Sequence, residues 1–310
     1  MTDEQAIRRH RWRLAIPVLI AVVLLGGYTL VWLQGARIMR AEITEWVETE
    51  RAEGRMVSHG DISVRGYPGS LRAEVNAPAW ADPGAWSWQA ETLYVITEPL
   101  NPSQLVLTPR GEQQVEYGGE TYALRADDLR VGLAEGAVAV EASGLSAEGA
   151  GQALALGAAR VNWAENADGS AVLGLSVGQA DYRGAEAAYY VPQLNAALSE
   201  GAASDLGLDA FEGAIATARG ERPALLAGQG RVGVGADGYL AGRMTLTVRN
   251  AEAVTAVLVQ AGVLEANQGG MVDMAMAGFA SGDDAAEIPL AFRDGKLRVG
   301  PLAVADLPQF

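Results

Sequence analysis

The chain has 310 residues, 49% of them hydrophobic, with 38 Gly, 2 His, no Cys and a net charge of −15. This is ample for a folded core, and it excludes disorder, disulfides, zinc thiolates and cysteine nucleophiles. The acidic balance repels phosphate and argues against nucleic acid as a partner, while abundant Gly without a three-residue period excludes collagen and fits many tight turns.

Residues 1–13 form a basic tail, with Arg8, Arg9, Arg11 and Arg13 against Asp3 and Glu4. Leu14 to Leu33, LAIPVLIAVVLLGGYTLVWL, carries no charge. As a helix it is about 30 Å long, enough to cross the hydrocarbon core. Tyr28 and Trp32 sit near one end, where amphipathic rings favour the interface. Pro17 falls in the first turns, where its missing N–H costs least. Residues 14–33 are therefore a transmembrane anchor, and the membrane is the first expected partner. The Arg cluster before the span outnumbers Arg37 and Arg40 after it, which places the N-terminus in the cytoplasm. The expected location is a single-pass inner-membrane protein with the bulk of the chain in the periplasm. A cleavable signal peptide has a shorter apolar core and a small-x-small site. Trp32, Leu33 and Gln34 supply no such site, so the anchor is expected to stay.

Residues 34–54 predict a juxtamembrane amphipathic helix. Met39, Ile43, Trp46 and Val47 share one face, and the helix closes at Gly54. Residues 55–310 predict a β-rich periplasmic domain. Ile62 and Val64, then Leu71, Ala73 and Val75, alternate with polar residues. Between them Gly66-Tyr67-Pro68-Gly69 forms a structural turn, with φ fixed at Pro68 and free at the glycines. Trp80, Trp86 and Trp88 cluster around Pro78 and Pro83, and Trp86 and Trp88 share a strand face. That cluster serves either as core or as part of an apolar binding surface.

Hairpin signals recur at Gly118-Gly119, Asp168-Gly169, Asp237-Gly238 and Asp294-Gly295. Two further helices are expected. One spans Glu186–Leu198, with Tyr190, Leu194 and Leu198 spaced by four. The other is capped by Asn250, carries Val254, Val257, Leu258 and Ala261, and closes at Gly262. The clearest strand is Tyr239–Arg249, with Leu240, Met244, Leu246 and Val248 on one face. The fold class is mainly β: an anchor, an amphipathic helix, and an extended, curved, largely antiparallel sheet with a few short helices. So few helices leave an apolar strip on the sheet, with Trp86, Trp88, Leu240, Met244, Leu246 and Val248 as its expected ligand surface.

Motifs for chemistry are weak. Gly228-Gln229-Gly230-Arg231-Val232-Gly233 matches G-x-G-x-x-G but runs into a hairpin, where a dinucleotide site needs a helix. Ser58, His59 and Asp61 are too close in sequence to form a triad. Asp127-Asp128 and Asp283-Asp284 lack a calcium-loop pattern. No catalytic residue, metal or cofactor is expected.

Gly66-Tyr67-Pro68 between two strands, after an anchor and an amphipathic helix, resembles the glycine-aromatic-proline turn of the DUF2125 family. Glu98-Pro99-Leu100-Asn101-Pro102 resembles its proline-asparagine-proline segment. Gly228–Leu264 is similar to its Gly-rich hairpin and helix. Ile288-Pro289-Leu290 through Asp294-Gly295 to Leu307-Pro308 is similar to its closing hairpin. The resemblance implies a proteobacterial envelope protein without assigned activity. The layout is also similar to that of AsmA-like envelope proteins, in which an anchored curved sheet holds lipid. Two functions follow as expectations: non-enzymatic binding of lipid acyl chains or help in envelope assembly, or a closed-core scaffold for another envelope protein.

Overall fold

The computed structural model describes residues 3–185, 187–200, 206–235, 238–262, 285–299 and 302–307, with positions 265, 270, 274, 278, 279 and 309. Side chains of the first helix are described from Leu19. That helix, α1 (Asp3–Ala52), runs for 50 residues without a break. The anchor and the juxtamembrane helix, expected as two segments, are one rod. Gly35 does not interrupt it, since a helical Gly costs only about 1 kcal/mol. Its bare Cα instead admits Leu71, whose Cδ1 lies 2.9 Å from where a Cβ would stand. The helix stops two residues before Gly54, which takes φ 89°.

The strands follow in order: β1 (Met56–Ser58), β2 (Ile62–Arg65), β3 (Leu71–Asn76), β4 (Ala79–Asp82), β5 (Trp86–Glu98), β6 (Asn101–Tyr117), β7 (Glu120–Arg125), β8 (Asp128–Ala134) and β9 (Ala137–Gly149). After them come β10 (Gln152–Glu165), β11 (Ala171–Arg183), β12 (Ala188–Glu200), β13 (Leu206–Ala216), β14 (Ala224–Val234), β15 (Leu240–Arg249), helix α2 (Ala251–Gln260), β16 (Ala285–Arg293), β17 (Lys296–Val299) and β18 (Leu302–Asp306). Together they make one 18-stranded sheet. Every pairing between these strands is antiparallel.

At one end the long strand β5 is shared: β4 takes its first half, β3 its second, with β1 and β2 outermost. β6 is shared in the same way between β7 and β8, and β9 rejoins both. From β9 the chain meanders strand by strand to β18. Among the described residues β18 pairs with β17 alone, so the sheet stays open.

The hairpin turns at Gly118-Gly119, Asp168-Gly169 and Asp294-Gly295 stand where expected, with positive φ at each of these glycines and at Asp294. Asp237 and the pair Asp283-Asp284 lie outside the described residues. Of the helix expected over Glu186–Leu198, Glu186 lies outside the described residues, and from Ala188 the chain is strand β12 instead. A spacing of four is even, so Leu194 and Leu198 share a face in a strand as well as in a helix. Pro192 lies within it, at a register shift between Tyr190 and Gln193, where its missing donor costs no ladder bond. α2 is the helix expected after Asn250, but Asn250 does not cap it through its side chain. It takes φ 62°, and its Nδ2 donates to the carbonyls of Arg222 and Pro223.

Candidate functional site

The register places side chains in rows across the sheet. One row runs Val95, Leu107, Val131, Val140, Val161, Leu175, Ala196, Phe211, Gly228, Leu246, Ile288, through the eleven strands β5, β6 and β8–β16. A second row beside it runs Leu105, Leu133, Val138, Trp163, Leu173, Leu198, Leu208, Val232. Strand neighbours stand ~4.8 Å apart, so the first row is roughly 48 Å long. On the other face a polar row crosses β8–β13: Arg130, Glu141, Arg160, Ser176, Asn195, Glu212. Arg160 and Glu141 pair there at 2.8 Å. One face of this sheet thus carries a continuous row from β5 to β16 that is apolar apart from Gly228.

Among the described residues nothing seals that face. Every residue of the first row except Gly228 is half-buried, and no large side chain among the described residues is fully buried. The molecule exposes 19506 Å², whereas a compact monomer of 32.4 kDa would expose roughly 12,000 Å². Among the described residues α2 packs on β13 and β14, and α1 packs on β1, β2 and β3.

Between α1 and the sheet lies a groove of about 1290 Å³, larger than the roughly 300–1,000 Å³ of ordinary small-molecule sites. Its helical wall is Leu30, Val31, Leu33, Ile38 and Trp46. Its sheet wall includes Leu71, Val75, Trp88, Leu93, Val95, Leu105, Leu107 and Leu133. α1 holds this position with an adjoining stripe, of which Met39 and Ile43 also line the groove. Trp32, Ala36, Met39 and Ile43 recur at helical spacing and pack on Leu71, Ala73, Ile62, Val64 and Val95.

Two clamps fix the half of that helix beside the groove, from Tyr28 to Arg51. At the lower end the turn Gly66–Gly69 docks: Tyr67 meets the Trp32 ring edge-on at 5.6 Å and its hydroxyl lies 2.8 Å from Thr29 Oγ1, while the Tyr28 hydroxyl donates to the Pro68 carbonyl. At the upper end Trp80 Nε1 donates to Glu50 Oε2 at 2.9 Å, Arg55 pairs with the same carboxylate, and Arg51 Nε donates to the Val57 carbonyl at 2.9 Å. The hydrogen bond to Glu50 pushes the Arg55 guanidinium still higher than its usual value. Glu50→Ala removes the shared acceptor. Hydrogen exchange at Met56–Ser58 is then expected to rise roughly tenfold, because local opening is governed by such contacts, while β10 and β11 keep their protection.

Of the residues expected to form a ligand surface, Trp88 lines the groove and donates from Nε1 to Gln113 Oε1 at 3.1 Å. Trp86 points the same way at the end of β5 but lies outside the lining, half exposed against Trp80 at 4.6 Å. Leu240, Met244, Leu246 and Val248 share the apolar face in β15, away from the groove. Met244 and Val248 are buried, and Leu240 and Leu246 half-buried. Residues 30–46 of α1 and Leu105, Leu107 and Leu133 were missed as wall residues. Their apolar spacing was visible, but the pairing of helix with distant strands was not.

The groove's polar side chains are Gln34, Arg37, Glu42, Ser58, His59 and Thr97. The Thr97 hydroxyl donates to the Gln104 carbonyl at 2.8 Å, and His59 Nδ1 lies 2.6 Å from the Gly60 carbonyl, which it reaches as donor. The Gly228–Gly233 motif is interior to β14, with no helix after it. Asp128 pairs with Arg130 at 2.8 Å and Arg110 at 3.4 Å. Among the described residues no three metal-ligating side chains converge.

A family model described as an uncharacterized protein conserved in bacteria, DUF2125, matches residues 32–308. No curated protein and no solved structure matches the chain.

Proposed function

The chain belongs to the DUF2125 family of bacterial proteins, and we propose that it is a membrane-tethered, non-enzymatic protein that holds lipid acyl chains in the groove between α1 and the sheet. One observation carries this reading. The groove's apolar walls include Leu30, Val31 and Leu33, which belong to the uncharged span itself. A cavity that shares residues with a membrane anchor has lipid as its nearest apolar ligand. The open apolar rows beyond it extend the same surface across the sheet.

Mass spectrometry of the full chain, purified in a detergent free of lipid, is expected to find bound phospholipid or fatty acid. Lipid-free protein that captures a partner protein through the apolar face would replace this reading with the envelope scaffold. The span, Leu14 to Leu33, crosses the inner membrane in this reading, with residues 1–13 cytoplasmic and residues 37–310 periplasmic, because the Arg excess lies before the span. A periplasm-dependent reporter fused after Phe310 is expected to be active. Activity of a cytoplasm-dependent reporter at that site would reverse the orientation.

A further inference from the structure

We propose that the groove is loaded sideways, by a glycerophospholipid of the leaflet on the sheet's side of the membrane, through a portal between Leu30–Gln34 of α1 and the corner where β5 turns into β6. This rests on the reading that the groove holds acyl chains.

The height of the portal follows from contacts. Gly35 abuts Leu71, and Leu71 faces Thr97 in register. Thr97 in turn is bonded to the Gln104 carbonyl. The corner Glu98–Asn101 therefore stands level with the end of the uncharged span. On the flank facing β2 and β3 the helix is closed off, because Tyr67 packs on Trp32 and reaches Thr29.

The other flank is open. Leu30 is 69% exposed and Val31 48%, yet both line the groove. The residues that face bilayer lipid and the residues that wall the groove are thus the same. Leu100, at the tip of the β5–β6 corner, is apolar and 80% exposed, as a residue touching the interface would be. An acyl chain passes from bilayer to groove along this wall without entering water, so its methylene groups are never hydrated on the way.

Arg37 names the headgroup class. It is the first charge after the span and lines the groove, as Glu42 does further along the helix. Among the described residues it has no carboxylate within ion-pair distance. A guanidinium at that height suits a lipid phosphate. The groove wall from Leu30 to Val47 is about 26 Å of helix, longer than the ~15 Å of one leaflet, so an extended acyl chain fits within it.

The chain has no native Cys, which makes a closure experiment clean. The double variant Gln34→Cys/Pro102→Cys puts one thiol on each lip, to be joined by a cleavable bismaleimide. The full chain goes into nanodiscs of phosphatidylethanolamine and phosphatidylglycerol carrying a diazirine on the acyl chain, and photo-adducts on β6 and β8 are mapped. Bridging before exposure to the lipid is expected to cut those adducts roughly tenfold, as closure of a gate does, and cleaving the bridge to restore them. Bridging after loading is expected to trap the lipid against exchange. Undiminished adducts in the bridged chain, or a loss that cleavage fails to reverse, would overturn the portal while leaving the groove reading intact. Absence of adducts in wild-type chain would overturn both.

Discussion

Leu107→Glu leaves the chain folded and anchored but without lipid: bound phospholipid per chain, measured by mass spectrometry, is expected to fall about a hundredfold, or ~2.7 kcal/mol. Leu107 belongs to the groove's sheet wall, beside Val95 in the cross-strand row. A carboxylate there meets an acyl chain, which offers it no hydrogen bond, and keeping the chain in place would strip water from the charge. Each methylene pushed back towards water costs about 0.8 kcal/mol, so displacing a few accounts for the loss. The half-buried position lets the carboxylate reach water when the groove is empty, and this is why the fold survives. Val106→Glu is the control. Val106 is adjacent but points to the opposite face, level with Ile96 and Gly132, and lipid content is expected to hold. Undiminished lipid in Leu107→Glu would show that lipid binds through the anchor alone.

The second large effect is on stability. Gly66→Val is expected to destabilise the full chain by roughly 2–4 kcal/mol in thermal unfolding in detergent, since it combines a strained φ with overpacking. Gly66 takes φ 114°, and a Cβ there would stand 2.1 Å from the Ser70 carbonyl oxygen, which is backbone and cannot rotate away. Turn and helix are coupled through Tyr67, so the variant also loosens the docking on Thr29 and Trp32. Gly69, in the same turn, has no positive φ and would meet its nearest neighbour at an ordinary 3.4 Å. Gly69→Val is therefore expected to cost under about 0.5 kcal/mol, as most exposed substitutions do. Loss of the same size at both positions would mean that the turn tolerates no side chain for reasons other than φ.

The contrast between these two glycines shows where sequence reading stops. Gly66-Tyr67-Pro68-Gly69 reads as a turn from composition, and it is one. Which glycine carries the strain depends on where the Ser70 carbonyl lies, and residue type does not encode that. Glu186–Leu198 shows the same limit in another form. Apolar residues four apart satisfy a helix and a strand face equally, and β12 is a strand because β11 and β13 offer it a ladder on both edges.

The properties legible in the sequence are those set by local chain chemistry. The span follows from an uninterrupted apolar length, because a bilayer has fixed thickness. The hairpins follow from glycines that take positive φ, and the strands from period-two alternation. These depend on neighbours a few residues away. The groove does not. Alternation says that Val95, Leu107 and Val131 each face one side of their own strand. It cannot say that the three stand side by side, or that Leu30 and Leu33 of α1 form the opposite wall. The tertiary structure decided that through strand register, through Gly35 letting Leu71 approach the helix, and through the clamps at Tyr67 and Glu50. All of these are contacts between residues far apart in the chain, where pattern within a window carries no information and geometry alone selects the partner.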